Sequence, residues 1–253
     1  MLDVATVRAE FPILSRQVNG KPLVYLDNGA SAQKPQVVID AVSTAYSHEY
    51  ANVHRGLHYL SNLATDKYEA VRGTIARFLG APSPDHIVFT TGTTEAINLV
   101  SYAWAAPRLQ PGDEIVLSIM EHHANIVPWH FLRERQGVVI KWVDVDARGD
   151  LDPQAVIDAI GPRTRLVAVT HMSNVLGTVV DVKAICAGAR ARGVPVLWMG
   201  RRPPCTCPLM WLILAAISMP SRDISYMDQA VLVQSSSILI GWPRCALFWV
   251  VAT

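Results

Sequence analysis

From Ile87 to Leu197 the chain alternates short strand-like runs with stretches of helical period, and no other feature limits its fold so tightly. The runs Ile87–Phe89, Glu114–Ile119, Val138–Val143, Leu166–Thr170 and Val194–Leu197 read as strands. Between them, Ile126–Arg135, Pro153–Ile160 and Val182–Arg192 carry helical spacing. Strands alternating with helices of this length predict an α/β fold around a mostly parallel sheet. Upstream, Val4–Phe11 predicts a short helix, Leu23–Leu26 a short strand, and Val37–Tyr50 a helix opened by Pro35. Ala51–His58 is too polar for a core element, and Ser61–Leu79 is a long amphipathic helix closed by Gly80 and Pro82.

In parallel sheets ligands gather beyond the carboxyl ends of strands. The polar clusters of this chain fall there, after Phe89, after Ile119 and after Thr170. The first is T-T-G-T-T-E-A-I-N-L, Thr90–Leu99, which opens a helix with apolar residues at Ala96, Ile97, Leu99 and Val100. Gly92 brings backbone close to a ligand, and Thr93 and Thr94 offer hydroxyls and N–H groups at the positive end of the helix dipole. That is a phosphate cradle, and it is equally the pattern of an ordinary Thr cap followed by Glu95. The second cluster is M-E-H-H-A-N-I-V-P-W, Met120–Trp129. Adjacent His residues cannot both face one site from a strand end. No Cys, Asp or further His stands near them at metal-ligand spacing, whereas one imidazole can stack on a flat ligand. In the third, H-M-S-N-V-L-G-T (His171–Thr178), Asn174 is a hydrogen-bond donor for a ligand oxygen or the cap of a plain turn made tight by Gly177.

A net charge of +1 gives no footprint for nucleic acid, and no apolar run reaches membrane-spanning length. The first residues lack the apolar core of a signal peptide, so the chain reads as cytoplasmic. Three of its four Cys (Cys205, Cys207, Cys245) fall in the last fifth, which is not a disulfide framework; Cys186 lies in a predicted helix and reads as core.

Five segments resemble, in order and with similar gaps, the SufS-like cysteine desulfurases of the class-V aminotransferase group. They are Y-L-D-N-G-A-S-A-Q-K-P, H-R-G-L-H, T-G-T-T-E-A-I-N-L, M-E-H-H-A-N-I-V-P-W and T-H-M-S-N-V-L-G-T, within Phe11 to Leu197. The resemblance implies the large domain of a pyridoxal-phosphate-dependent transferase of fold type I, truncated here, with residues 1–197 as its N-terminal part. It implies pyridoxal 5'-phosphate as cofactor, with Thr93 and Thr94 at the phosphate and His122 on the pyridine ring. Asn174 would touch the phenolic oxygen or the substrate carboxylate, and Ala30, His54 and Arg55 would lie near the substrate pocket. The implied reaction converts L-cysteine to L-alanine and passes sulfur, as an enzyme persulfide, to an acceptor protein of iron–sulfur cluster assembly. The implied full-length form is a homodimer. A selenocysteine lyase, an aminotransferase-like enzyme, or a non-catalytic truncated partner of a full-length subunit are the rival expectations.

The resemblance stops at Trp198. There the family continues V-D-G and then G-H-K, whose Lys forms the Schiff base, but this chain has W-M-G-R-R-P-P-C and no Lys through Thr253. No catalytic residue is therefore retained: the Asp, the Lys, the nucleophilic Cys and the carboxylate-binding Arg are all missing. The codons point to a lost nucleotide. One base restored before Trp198 regroups TGG, ATG and GG into triplets for Asp and Gly, and a restored G makes the triplet before them Val. The same shift across Arg222–Val233 permits Gly-His-Lys-Leu-Tyr-Gly-Pro-Ser-Gly-Ser-Gly, eleven compatible triplets in a row. Residues 198–253 thus read as an out-of-frame tail, in which the C-x-C of Cys205 and Cys207 and the apolar run Trp211–Met219 are accidents.

Overall fold

The computed structural model describes residues 3–28, 31–54, 56–79, 81 and 83–200, with the backbone of 214–218 and 231–234. These fall into two compact units, one reaching to Asp85 and the other spanning His86–Gln234.

The first unit opens with α1 (Val4–Ala9), capped by Asp3, whose Oδ1 accepts from the N–H groups of Ala5 and Thr6 at 3.0 and 3.3 Å. A two-residue hairpin follows, β1 (Gln17–Val18) with β2 (Lys21–Pro22). Asn19 and Gly20 turn it with φ of 53° and 73°, the left-handed pair that a tight hairpin needs. This changes the expectation of a strand at Leu23–Leu26. The segment forms no ladder, and Val24 and Leu26 are exposed. Strand-forming side chains make a strand only against a partner, and the Asn-Gly turn places the pairing upstream. Helix α2 (Gln36–Thr44) starts after Pro35 and runs on through a π-helical turn, Ala45–Glu49. Glu49 pairs with Lys67 of α3 (Tyr59–Leu79), which begins two residues before the predicted Ser61.

The second unit carries the sheet. After β3 (Ile87–Thr90) comes α4 (Thr93–Leu99), continued by a π-helical turn, Val100–Ala105. Then follow β4 (Glu114–Ser118), α5 (Val127–Gln136), β5 (Val139–Val143), α6 (Pro153–Asp158), β6 (Thr164–Thr170), α7 (Val182–Ala191) and β7 (Val196–Gly200). Strands β8 (Leu214–Ser218) and β9 (Val231–Gln234) complete a seven-stranded sheet of order β3-β9-β8-β7-β6-β4-β5. Four of its pairings are parallel; the two made by β8 are antiparallel. The expected α/β fold with a mostly parallel sheet is present.

Alternation along the strands gives the sheet two buried faces. Ile115, Leu117, Leu166, Ala168 and Leu197 face one side, against Ala96 and Ile97 of α4 and Trp129 and Leu132 of α5. Val116, Val167, Val169 and Val196 face the other, against Val156 of α6 and Val182, Ile185 and Ala189 of α7. Each fully buried aliphatic side chain here contributes about 1.5–3 kcal/mol of transfer free energy. Helix ends are set locally: Asp152 and Asp181 cap α6 and α7, and Gly137 at φ 70° closes α5. Among the described residues, no helix is long and apolar enough to cross a membrane.

Candidate active site

Three loops leave carboxyl ends of parallel strands on the second unit, and each carries a predicted site residue. The first leaves β3. Thr90 Oγ1 donates to the Gly92 carbonyl at 3.1 Å, and Glu95 reaches back over the loop. Its Oε2 accepts from the hydroxyl and N–H of Thr91 at 2.6 and 2.5 Å, and the hydroxyl, then the N–H, hold the Glu95 carboxyl below its usual range. Gly92 itself is extended, so its φ asks for no glycine. The N–H groups of Thr94 and Glu95 precede the helix's first return bond, made by Ala96 to the Gly92 carbonyl at 3.0 Å. Thr93 is buried and Thr94 exposed, so the two cradle threonines face different surroundings.

The second loop leaves β4 and places His122 at the head of a 3-10 turn, His123–Asn125. His122 Nδ1 accepts the Ala124 N–H at 3.1 Å, which puts the imidazole proton on Nε2 and leaves the ring exposed. Its neighbour His123 is exposed as well, with ring centroids 6.2 Å apart. Ala124 of this turn belongs to the same buried cluster as Ala96 and Ile97, so the His122 turn and the helix that carries Thr93 and Thr94 share one core.

The third loop leaves β6. Met172 bridges to Val179, and the Ser173 hydroxyl accepts from the N–H groups of Val175 and Leu176 at 3.3 and 3.1 Å. Gly177 closes the turn at φ 74°, and Asn174 stands exposed at its tip. Beside it, β7 ends at Gly200, where φ is 148° and an added Cβ would lie 2.5 Å from the Cβ of His171.

His54 lies in the first unit. It has a left-handed backbone, φ 62°, which a His adopts at a cost of about 1–2 kcal/mol. Its N–H donates to Thr65 Oγ1 at 2.9 Å, its ring stands edge-on to Tyr68, and Nε2 is 3.5 Å from Glu69. Ala30 and Arg55 lie outside the described residues, as do Gly80, Pro82, Cys205, Cys207 and Cys245. Cys186 is half-buried on α7, and burial pushes its thiol up to about 11, the state of an unreactive core thiol.

The sequence alone did not single out the buried carboxylate of this region. Glu121 points inward, opposite in role to the exposed His122 beside it. Its carboxylate accepts from the Ser118 hydroxyl, from Asn125 Nδ2 at 2.8 Å and from the Thr170 N–H at 2.9 Å. Asn125 Oδ1 in turn accepts from Trp129 Nε1 at 3.1 Å. Burial pushes Glu121 up to about 7 against the pull of these three bonds. The signal was present as Ser118, Glu121, Asn125 and Trp129, polar positions three or four apart that run from a strand end into a helix start.

The description Aminotransferase class-V matches residues 24–198, more than half of the chain. The chain belongs to that family. It is 53% identical over 197 residues to a probable cysteine desulfurase of Mycolicibacterium paratuberculosis, covering 78% of this chain and 29% of the relative. Among solved structures, the cysteine desulfurase of Thermococcus onnurineus aligns with a TM-score of 0.72 at 34% identity, over 78% of this chain and 47% of that one. Cysteine desulfurase CsdA of Escherichia coli aligns with a TM-score of 0.65 at 37% identity, over 78% and 48%. The chain spans less than half the length of each of these proteins.

Proposed function

We propose that this gene encodes a pyridoxal-phosphate-dependent cysteine desulfurase of the SufS-like type, and that the chain in its present reading frame is inactive. The observation that carries the proposal is His122, an imidazole at a strand end with its tautomer fixed by Ala124 and its ring exposed. It stands in a chain about half identical to proteins named cysteine desulfurase. When bound, pyridoxal phosphate supplies an electron sink for charge at the α-carbon of an amino acid. The N–H groups at the head of α4, with Thr93 and Thr94, suit its phosphate. The exposed ring of His122 suits stacking, and Asn174 suits a ring oxygen or the substrate carboxylate. Ala30, His54 and Arg55 are the substrate-pocket residues of this reading, and L-cysteine is the substrate. The full-length protein is a cytoplasmic homodimer that hands persulfide sulfur to an acceptor protein of iron–sulfur assembly.

One position does not fit. Met199 is half-buried on β7, on the sheet face that carries α4. A thioether cannot hold a proton on a pyridine nitrogen. The restored frame puts an Asp at this position and a Gly at 200, where the backbone already requires one. The family match also ends at residue 198, where the codon argument places the lost base. This supports residues 198–253 as an out-of-frame tail.

The test is to resequence the gene across Val194–Gly200 and to express it with one base added before the Trp198 codon. Alanine formed from L-cysteine supports the reading. If the present frame is confirmed and the restored gene makes no alanine, the assignment fails. A restored enzyme that turns over L-selenocysteine but not L-cysteine points to the lyase instead.

A further inference from the structure

The ladder between β4 and β6 ends at Leu117 and Ala168. Two residues on, the N–H of Thr170 meets no strand carbonyl from β4; Glu121 Oε1 takes it at 2.9 Å, standing where a strand oxygen would stand. The Ser118 hydroxyl donates to the same oxygen, and Asn125 Nδ2 donates to the other at 2.8 Å. One side chain therefore ties the end of β4, the end of β6 and the 3-10 turn, and Ser118, Glu121, Asn125, Trp129 and Thr170 are all buried.

His122 depends on that turn. Its ring orientation is set by the Ala124 N–H on Nδ1, and its carbonyl takes the Asn125 N–H at 2.7 Å. The turn is fixed to the sheet, in its turn, through the Asn125 side chain and Glu121. All three partners of Glu121 are donors and none is a cation, so the buried carboxylate costs stability rather than supplying it. Its oxygens nevertheless meet a geometry that a neutral isostere cannot. Trp129 Nε1–H holds Asn125 with Oδ1 outward and Nδ2 toward Glu121. A Gln at 121 would set an amide donor against either Asn125 Nδ2 or the Thr170 N–H.

We propose that Glu121 is the positioning residue for His122. Through the chain Ser118–Glu121–Asn125–Trp129 it fixes the tilt and tautomer of the imidazole; that this ring receives the cofactor rests on the pyridoxal-phosphate reading.

The test uses the full chain without cofactor and reads the side-chain nitrogen and hydrogen signals of His122, assigned by His122→Gln. The native protein shows the Nε2–H tautomer. Glu121→Gln gives a mixture of tautomers, and its affinity for added pyridoxal phosphate falls on the order of tenfold. The double variant Glu121→Gln with Asn125→Asp restores both, because the new carboxylate accepts from the amide at 121 and from Trp129. An unchanged His122 signal in Glu121→Gln, or a double variant no better than the single one, overturns the proposal. Should either variant fail to fold, Asn125→Leu cuts the tie between Glu121 and the turn while leaving the other two donors in place; an unchanged His122 signal there also overturns it. A native chain with the tautomer fixed but no affinity for pyridoxal phosphate refutes the cofactor reading alone.

Discussion

Replacing Glu121 by Gln removes a buried acid whose ordinary value of 4.5 is raised by burial to about 7. Between those two values the folded protein binds a proton that the unfolded chain has released. Unfolding then releases that proton, so stability falls as pH rises across the window. The contribution is largest below about 4.5, declines toward about 7, and is flat above it. A gap of roughly 2.5 units at 1.36 kcal/mol each makes the decline about 3 kcal/mol. The assay is urea unfolding of the native chain and Glu121→Gln at a series of pH values from about 5 to about 8, followed by tryptophan fluorescence. All other titrating groups are common to both proteins, so the difference between them isolates position 121. The native protein loses ground to the Gln variant by about 2–3 kcal/mol across the series. A difference that stays flat refutes the reasoning, because the three donors would then hold Glu121 ionised throughout. A difference that grows in favour of the native protein would mean that the hydrogen bonds outweigh desolvation.

Trp129→Phe removes the Nε1 donor to Asn125 Oδ1 from a fully buried site and leaves a void beside it; it should cost about 2–3 kcal/mol in urea unfolding. Asp181→Ala removes the bond to the Ala184 N–H at the head of α7 and should cost about 1 kcal/mol by the same measurement. Gly200→Ala puts a methyl 2.5 Å from the Cβ of His171 at a positive φ, so either β7 frays or the His171 loop moves, for about 1–3 kcal/mol. Cys186 should resist thiol reagents near neutral pH at least tenfold better than a free thiol, because burial has raised it to about 11; fast labelling of the folded chain would contradict its placement on α7.

Periodicity carried most of the sheet. Ile115, Leu117 and Val116 alternate between the two buried faces, and the helices between strands end where Asp and Gly residues put caps. The miss at Leu23–Leu26 has a local cause. A run of β-forming residues is silent about its partner, and Asn19-Gly20 had already fixed the pairing two residues upstream. The strand ending at Leu197 in the sequence reading continues to Gly200, because Trp198 and Met199 still pair with Val169 and Thr170. At the site, exposed residues such as His122 and Asn174 were legible as polar interruptions of an apolar pattern. Glu121 was legible only through its spacing with Ser118, Asn125 and Trp129, because a lone charge in sequence suggests solvent, and the fold shows the three donors converging on it.

The two sides of the sheet's carboxyl edge differ in what they already hold. On the β4 side, the turn of His122 is complete: its cap, its buried carboxylate and its core contacts all come from residues before Trp198. On the β7 side, the strand pairs with β6 as far as Met199, the position at which the proposed reading frame has an Asp. His171 accepts no Cβ at 200, and Met199 is half-buried on the sheet face that carries α4. A restored frame changes the second side and leaves the first untouched. Placement of His122 is therefore measurable in the present chain, and a ligand's dependence on position 199 needs one substitution. Met199→Asp in the present frame separates these. If the β4 side alone determines binding, affinity for pyridoxal phosphate is unchanged. If the edge acts as one site, affinity rises while the His122 tautomer stays as it is.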